Sequence, residues 1–242
     1  MMKTKLVLFG LSINIISYQQ LIKTVNAALR KKSSILIFPI NIHNLIQIRK
    51  MDSIAKLLKL PNCFSVADGV PLVIVSKLTK TRLPGRVSGT DLAESILCNR
   101  EARIFIIASN DNIGRAIKQL YSSVCDYWVA PMYSGNIPFE KELMLKLKKI
   151  KPNVLIVTLG CPTQEKWIYT HLNELVDIKV ILSAGSALEL ITGKIKRAPK
   201  IVRDNGFEWL WRIIFEPKRL APRYIKDFIE IIYLWLCGLK KR

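Results

Sequence analysis

The sequence predicts an α/β fold in which a parallel sheet is covered by helices on both faces, with a basic, partly helical C-terminal membrane-binding appendage. Three observations carry this. Short β-rich runs alternate with helical stretches from residue 5 to residue 183. Polar residues or glycines follow the candidate strands, at the carboxyl ends where such sheets bind ligands. From about Lys194 the alternation gives way to cations interleaved with aromatics. The expected division is a Rossmann-like core over 1–193 and an appendage over 194–242.

The elements follow in order. Residues 5–11 predict a first strand and 18–31 a helix. A strand over 34–38 leads to a helical stretch around 45–58, and a short strand over 63–67 leads to helices over 72–77 and 91–99. Strand 103–108 precedes helix 113–122; strand 127–130 precedes helix 140–149; strand 154–159 precedes helix 166–175; strand 179–183 closes the alternation. Asn41, Asp68-Gly69, Ser109-Asn110, the run 160–165 and Gly185-Ser186 each follow a predicted strand, so they are expected to converge on one edge of the sheet. The apolar stretch 228–239, closed by Lys240-Lys241-Arg242, is too short to span a bilayer but suits a helix lying in the membrane interface.

Composition narrows the partners. Half of the 242 residues are apolar, enough for one sizeable domain. Lys and Arg number 38 against 18 Asp and Glu, a formal charge of +20 that attracts nucleic acid, anionic lipid headgroups or phosphorylated ligands. Nucleic-acid motifs are absent, and the cations gather beside a membrane-type apolar tail. The five cysteines are dispersed with no C-x-x-C, as reduced cytosolic thiols would be. Two histidines, His43 and His171, are too few for a His-rich metal site and are read as structural. The N-terminal apolar run stops too early for a signal peptide, and no stretch reaches the ~18 apolar residues of a transmembrane helix.

Read from the residues alone, Asp68-Gly69 is first a turn, although a carboxylate at a strand end can also act as a base. Arg86 presents a planar fork suited to a phosphate or an acceptor oxygen. Thr90-Asp91 before an apolar run is a helix-start signal. Gln164 and Glu165 open a helix whose free N–H groups suit an anionic ligand, and Glu165 is alternatively a favourable first-turn charge. Trp167 is read as core. Gly160 and Gly185 are read as backbone turns.

Several blocks then stand out in order: Ala67-Asp68-Gly69; the run 83–92, LPGRVSGTDL; 160–167, GCPTQEKW; 193–199, GKIKRAP; Glu208-Trp209-Leu210-Trp211-Arg212; and the run 216–224, EPKRLAPRY. Together they resemble the WecG/TagA/CpsF family, glycosyltransferase family 26, whose G-x-P-x-Q-E-x-W motif the run 160–167 looks like. The resemblance implies an inverting transfer from a UDP-sugar onto an undecaprenyl-diphosphate-linked GlcNAc-type acceptor in cell-surface polysaccharide synthesis. It implies no cofactor beyond the UDP-sugar, no metal requirement, no nucleic acid, and peripheral attachment to the cytoplasmic face of the inner membrane; self-association stays open. It makes Asp68 the base, with Asn41, Arg86, Gln164 and Glu165 as donor or acceptor contacts. Arg197, Arg212, Arg219 and Arg223 become the cations for the two diphosphates.

Three departures from the family pattern concern the donor: Pro39-Ile40-Asn41 where Thr-x-Asn is usual, Ser109-Asn110 for a Gly-rich turn, and Glu189 for an Asp. They leave a catalytically inactive, membrane-associated scaffold, and more remotely a basic nucleic-acid-binding module, as the competing expectations.

Overall fold

The computed structural model describes residues 5–31 and 33–239. Six parallel strands form the central sheet: β3 (Ile35–Ile40), β4 (Cys63–Ala67), β5 (Ile104–Ala108), β6 (Val124–Val129), β7 (Val154–Val157) and β8 (Val180–Ser183), in the order β4-β3-β8-β7-β5-β6. Along β3 and β5 successive side chains point to opposite faces, which builds two cores. Leu36, Phe38, Phe105 and Ile107 enter one core, with Leu45, Ile54, Leu143 and Trp167 from helices. Ile35, Ile37, Ile104 and Ile106 enter the other, with Leu21, Leu92, Ile113 and Leu188. Both faces of these strands are apolar, as a parallel sheet buried between helix layers requires.

The predicted first strand is in fact a hairpin. Phe9 and Gly10 both take positive φ, +48° and +88°. This reverses the chain in two residues and pairs β1 (Lys5–Leu8) with β2 (Leu11–Asn14) outside the main sheet. Strand β2 lies against β4, where the Asn14 side chain accepts from the Ser65 amide at 3.0 Å. The helical stretch predicted around 45–58 is two helices, α2 (Ile42–Ile48) and α3 (Asp52–Leu57), broken at residues 49–51.

The remaining helices of the core are α1 (Tyr18–Arg30), α4 (Val70–Lys77), α5 (Gly89–Leu97), α6 (Asp111–Leu120), α7 (Lys141–Ile150), α8 (Thr163–His171) and α9 (Ala187–Ile191). The cap of α5 is Ser88, whose hydroxyl accepts from the Asp91 amide at 3.3 Å, two residues before the predicted Thr90 start.

Beyond residue 193 come α10 (Lys200–Asp204), α11 (Glu208–Phe215) and α12 (Pro217–Leu239). They fold back on the core at four places. Arg197 and Arg203 pair with Asp91 on α5. Gly206, at φ +79°, packs so closely that a Cβ there would lie 2.6 Å from Val70 on α4. Glu208 reaches Arg86 at 2.6 Å. Asp227 and Glu230 on α12 pair with His43 at 3.1 Å and Lys50 at 2.8 Å on and just after α2. Among the described residues no helix is long and apolar enough to cross a membrane. The predicted basic end, Lys240-Lys241-Arg242, lies outside the described residues.

Candidate active site

The register of the sheet brings the polar strand ends together. Ile40 pairs with Ala67, so Asn41 and Asp68 emerge side by side from β3 and β4. Val157 pairs with Ser183, so the turns at Gly160 (φ +75°) and Gly185 (φ +53°) emerge side by side from β7 and β8. These ends floor a cavity of about 1270 Å³, and α11 and α12 wall it. Small-molecule sites commonly enclose ~300–1,000 Å³, so this one has room for a bulky ligand or for two.

Asp68 is the carboxylate of the floor, its side chain 24% exposed. Its Oδ1 accepts from Arg86 Nε and Nη2, both at 3.3 Å, and its Oδ2 accepts from the Gly89 amide at 3.1 Å. Burial raises its pKa above the usual carboxylate value; Arg86 and the Gly89 amide oppose that rise, and the nearby Glu208 adds to it. Glycine at position 89 permits this close approach. A Cβ there would stand 3.1 Å from both Asp68 Oδ2 and the Pro39 ring. Arg86 is shared, since its Nη2 donates to Glu208 Oε2 at 2.6 Å.

Asn41 lines the cavity but caps α2, its Oδ1 accepting from the Asn44 amide at 2.9 Å. Gln164 also lines it, with its amide already committed: the oxygen accepts from the Gly185 amide and the nitrogen donates to Glu165, each at 2.9 Å. Its placement ties the β7 turn to the β8 turn.

From the tail, Arg212, Arg219 and Arg223 face the cavity. Arg212 Nη2 donates to Ser186 at 2.6 Å, while its Nε is buried with no hydrogen-bond partner among the described residues. Arg223 is pushed below the usual guanidinium pKa by burial, although Asp227 pulls it up. Arg219 pairs with Glu216 at 2.6 Å.

Two predicted residues lie elsewhere. Arg197 is held by Asp91 and Glu94 and does not line the cavity, which makes it a clasp between the tail and α5. Glu165 is fully buried behind Gln164, beside Cys161 and Ser183. Burial pushes its pKa up to about 7.

The stability consequence has a definite sign. In the unfolded chain this carboxyl ionises near its ordinary 4.5, so between about 4.5 and 7 the unfolded state releases a proton that the folded state keeps. Stability therefore falls as pH rises through that window, by roughly 3 kcal/mol in total. Glu165→Gln, which mimics the neutral acid, should remove this loss. Urea midpoints of the two proteins should diverge between pH 5 and pH 8, and parallel curves would refute the assignment.

His171 is fully buried, its ring stacked on Trp167 at 4.4 Å, and Trp167 is fully buried core whose indole donates to Glu140 at 2.7 Å. His43, read as structural, holds Asp227 at the cavity edge. Among the described residues no group of three His, Cys, Asp or Glu side chains could hold a metal ion. Sequence reasoning missed Gly89 and Glu208 as site residues. The spacing of Glu208 and Arg212, one helical turn apart, was the available sign of a shared face.

The family model of the glycosyl transferase WecG/TagA/CpsF family matches residues 6–242. The chain belongs to this family. Similar proteins include the N-acetylglucosaminyldiphosphoundecaprenol N-acetyl-beta-D-mannosaminyltransferase of Staphylococcus aureus strain MRSA252, 31% identical over 167 residues, which covers 65% of this chain and 63% of the relative. Those of S. aureus strains NCTC 8325 / PS 47 and COL, under the same name, are 31% identical over 166 residues, again 65% of this chain and 63% of each relative. The matched region thus spans somewhat under two thirds of these relatives. In this family member Asp68 faces a tail that carries three arginines across one cavity.

Proposed function

We propose that the chain is an inverting glycosyltransferase that moves a sugar from UDP onto the GlcNAc of a polyprenyl-diphosphate-linked acceptor. The observation that carries this reading is the facing of Asp68, at the mouth of the sheet, by Arg212, Arg219 and Arg223 across one cavity. The relatives' name specifies a GlcNAc-diphosphoundecaprenol acceptor and an N-acetyl-beta-D-mannosaminyl product. A β product from an α-linked nucleotide sugar requires inversion, which is direct displacement at the anomeric carbon.

In that displacement Asp68 takes the proton of the acceptor hydroxyl as its oxygen attacks the anomeric carbon. The new C–O bond forms while the bond from that carbon to the diphosphate oxygen breaks. The electron pair leaves with UDP, and the tail arginines meet the growing charge. Arg86 and Gly89 fix the carboxylate, and Asn41 and Gln164 shape the floor through their backbone bonds. The test is a screen of UDP-sugars, UDP-N-acetylmannosamine first, against synthetic GlcNAc-diphospho-lipid, with product detected by mass. Product with none of them, from a chain that still binds UDP, would refute the transfer and favour the inactive scaffold.

A lipid-linked acceptor places the work at a membrane surface, and the tail fits one on its cytoplasmic side. Ile225, Ile229, Ile232 and Leu236 recur at helical spacing on α12 and are exposed, as are Trp235 and, on α11, Ile214 and Phe215. Exposed Lys218 and Lys226 accompany them. Vesicles containing anionic lipid should retain the protein. Ile229→Asp should lower the vesicle partition coefficient by at least about tenfold, because burying one aliphatic side chain contributes about 1.5–3 kcal/mol. Equal retention of the two proteins would remove α12 as the contact.

A further inference from the structure

Glu208 is the feature of the cavity that the transfer itself leaves unexplained. It is the first residue of α11, 8% exposed, and it belongs to the tail rather than to the sheet. Its Oε2 lies 2.6 Å from Arg86 Nη2, while the same nitrogen lies 3.3 Å from Asp68 Oδ1. Arg86 is thus held closely by the tail carboxylate and loosely by Asp68.

The two possible partners of Arg86 compete. A guanidinium engaged by Asp68 alone could form two short parallel bonds, occupying the carboxylate and stabilising its charged form. That would leave Asp68 ionised but a poor proton acceptor, since a base more strongly stabilised as the anion drives proton transfer less. With Glu208 in place, Asp68 keeps long contacts to Arg86 and one bond to the Gly89 amide. A second carboxylate beside it also disfavours its charged form. The charged and titratable groups around the pair are Arg86 ahead of α5, Glu208 on α11 and, further out, Arg212 on α11 and Tyr224 on α12.

We propose that Glu208 is a positioning residue for the transfer, drawing Arg86 away from Asp68 so that docking of α11 leaves the carboxylate free to take the acceptor's proton. The inference rests on the reading of Asp68 as base. It adds that the tail governs that base as well as lining the diphosphate side of the cavity.

The experiment is the pH dependence of kcat and KM for full-length wild type, Glu208→Gln, Arg86→Gln and Asp68→Asn, each checked for cooperative melting. Glu208→Gln should move the acid limb of kcat/KM to lower pH by about one unit and lower the plateau of kcat roughly tenfold, as Arg86 turns wholly to Asp68. Arg86→Gln should move the same limb to higher pH. Opposite displacements from two neutralising changes at one contact are not what loosened packing produces, for that scales the profile without shifting it. Should Glu208→Gln fail to fold, Glu208→Asp and Arg86→Gln supply the comparison, the shorter carboxylate giving a limb between wild type and the low-pH position.

An unmoved limb in Glu208→Gln, or in Glu208→Asp where that variant stands in, beside an inactive Asp68→Asn would overturn the role of Glu208 and leave the base in place. An Asp68→Asn enzyme that turns over with the wild-type profile would overturn both.

Discussion

Asp68→Asn should lower turnover by about 10²–10⁴-fold, the usual contribution of a general base, while leaving UDP affinity within about twofold. The geometry explains why the two effects separate. An asparagine at 68 keeps the shape of the side chain and an oxygen for the Gly89 amide, which lies 3.1 Å from Asp68 Oδ2. It loses the charge, the proton acceptor and, because its amide nitrogen cannot accept, the two 3.3 Å bonds from Arg86. The cations expected to hold UDP, Arg212, Arg219 and Arg223, come from α11 and α12, and none of them is bonded to Asp68. Burial holds the Asp68 pKa above the usual carboxylate value, so wild-type turnover should fall as pH drops through that raised value. The acid limb should vanish from whatever residual activity Asp68→Asn retains. Steady-state kinetics with calorimetric UDP titration reads both quantities, and wild-type kcat in the variant would end the case for Asp68 as base.

How much of this could be read from the chain depends on the range over which each signal acts. The strands of the sheet were legible because runs such as 104–108 and 154–157 are apolar on both faces, and that is a local property. The hairpin at the start was not, because its only sign is Phe9-Gly10 inside one apolar run. Strand order was out of reach: β4 and β5 are consecutive in the chain, yet β3, β8 and β7 lie between them.

The site followed the same division. Asn41 and Asp68 were found because strand ends converge in any parallel sheet. Gln164 and Glu165 are adjacent in sequence and were read together, yet one faces the cavity and the other is sealed behind it, since neighbours on a helix point ~100° apart. Arg197 matched a motif and looked like its fellow arginines, but its partner Asp91 lies 106 residues away, and no local pattern announces such a pair. Glu208 shows the same limit from the other side: its importance lies in Arg86, 122 residues distant.

Arg223→Ala should cost about 10²–10³-fold in kcat, the scale of losing one well-placed charge donor at a departing group, and should weaken UDP binding with it. The folded protein holds this cation at some expense. Burial lowers its pKa, and the nearest carboxylate, Asp227, is 4.0 Å from Nε and is itself engaged at 3.1 Å by His43. A guanidinium under-compensated in this way gains most when an anion arrives. A diphosphate entering the cavity supplies one, and the more negative it becomes as the sugar departs, the greater the gain. This is the differential binding that accelerates a reaction rather than merely tightening substrate.

The same argument separates function from folding. Removing a partly exposed, poorly compensated charge should leave the melting temperature nearly unchanged, with Asp227 still held by His43. Loss of turnover in a protein that melts no earlier would therefore locate the effect in the reaction. Wild-type kcat with undiminished UDP affinity would end the case for Arg223 as a contact of the departing diphosphate.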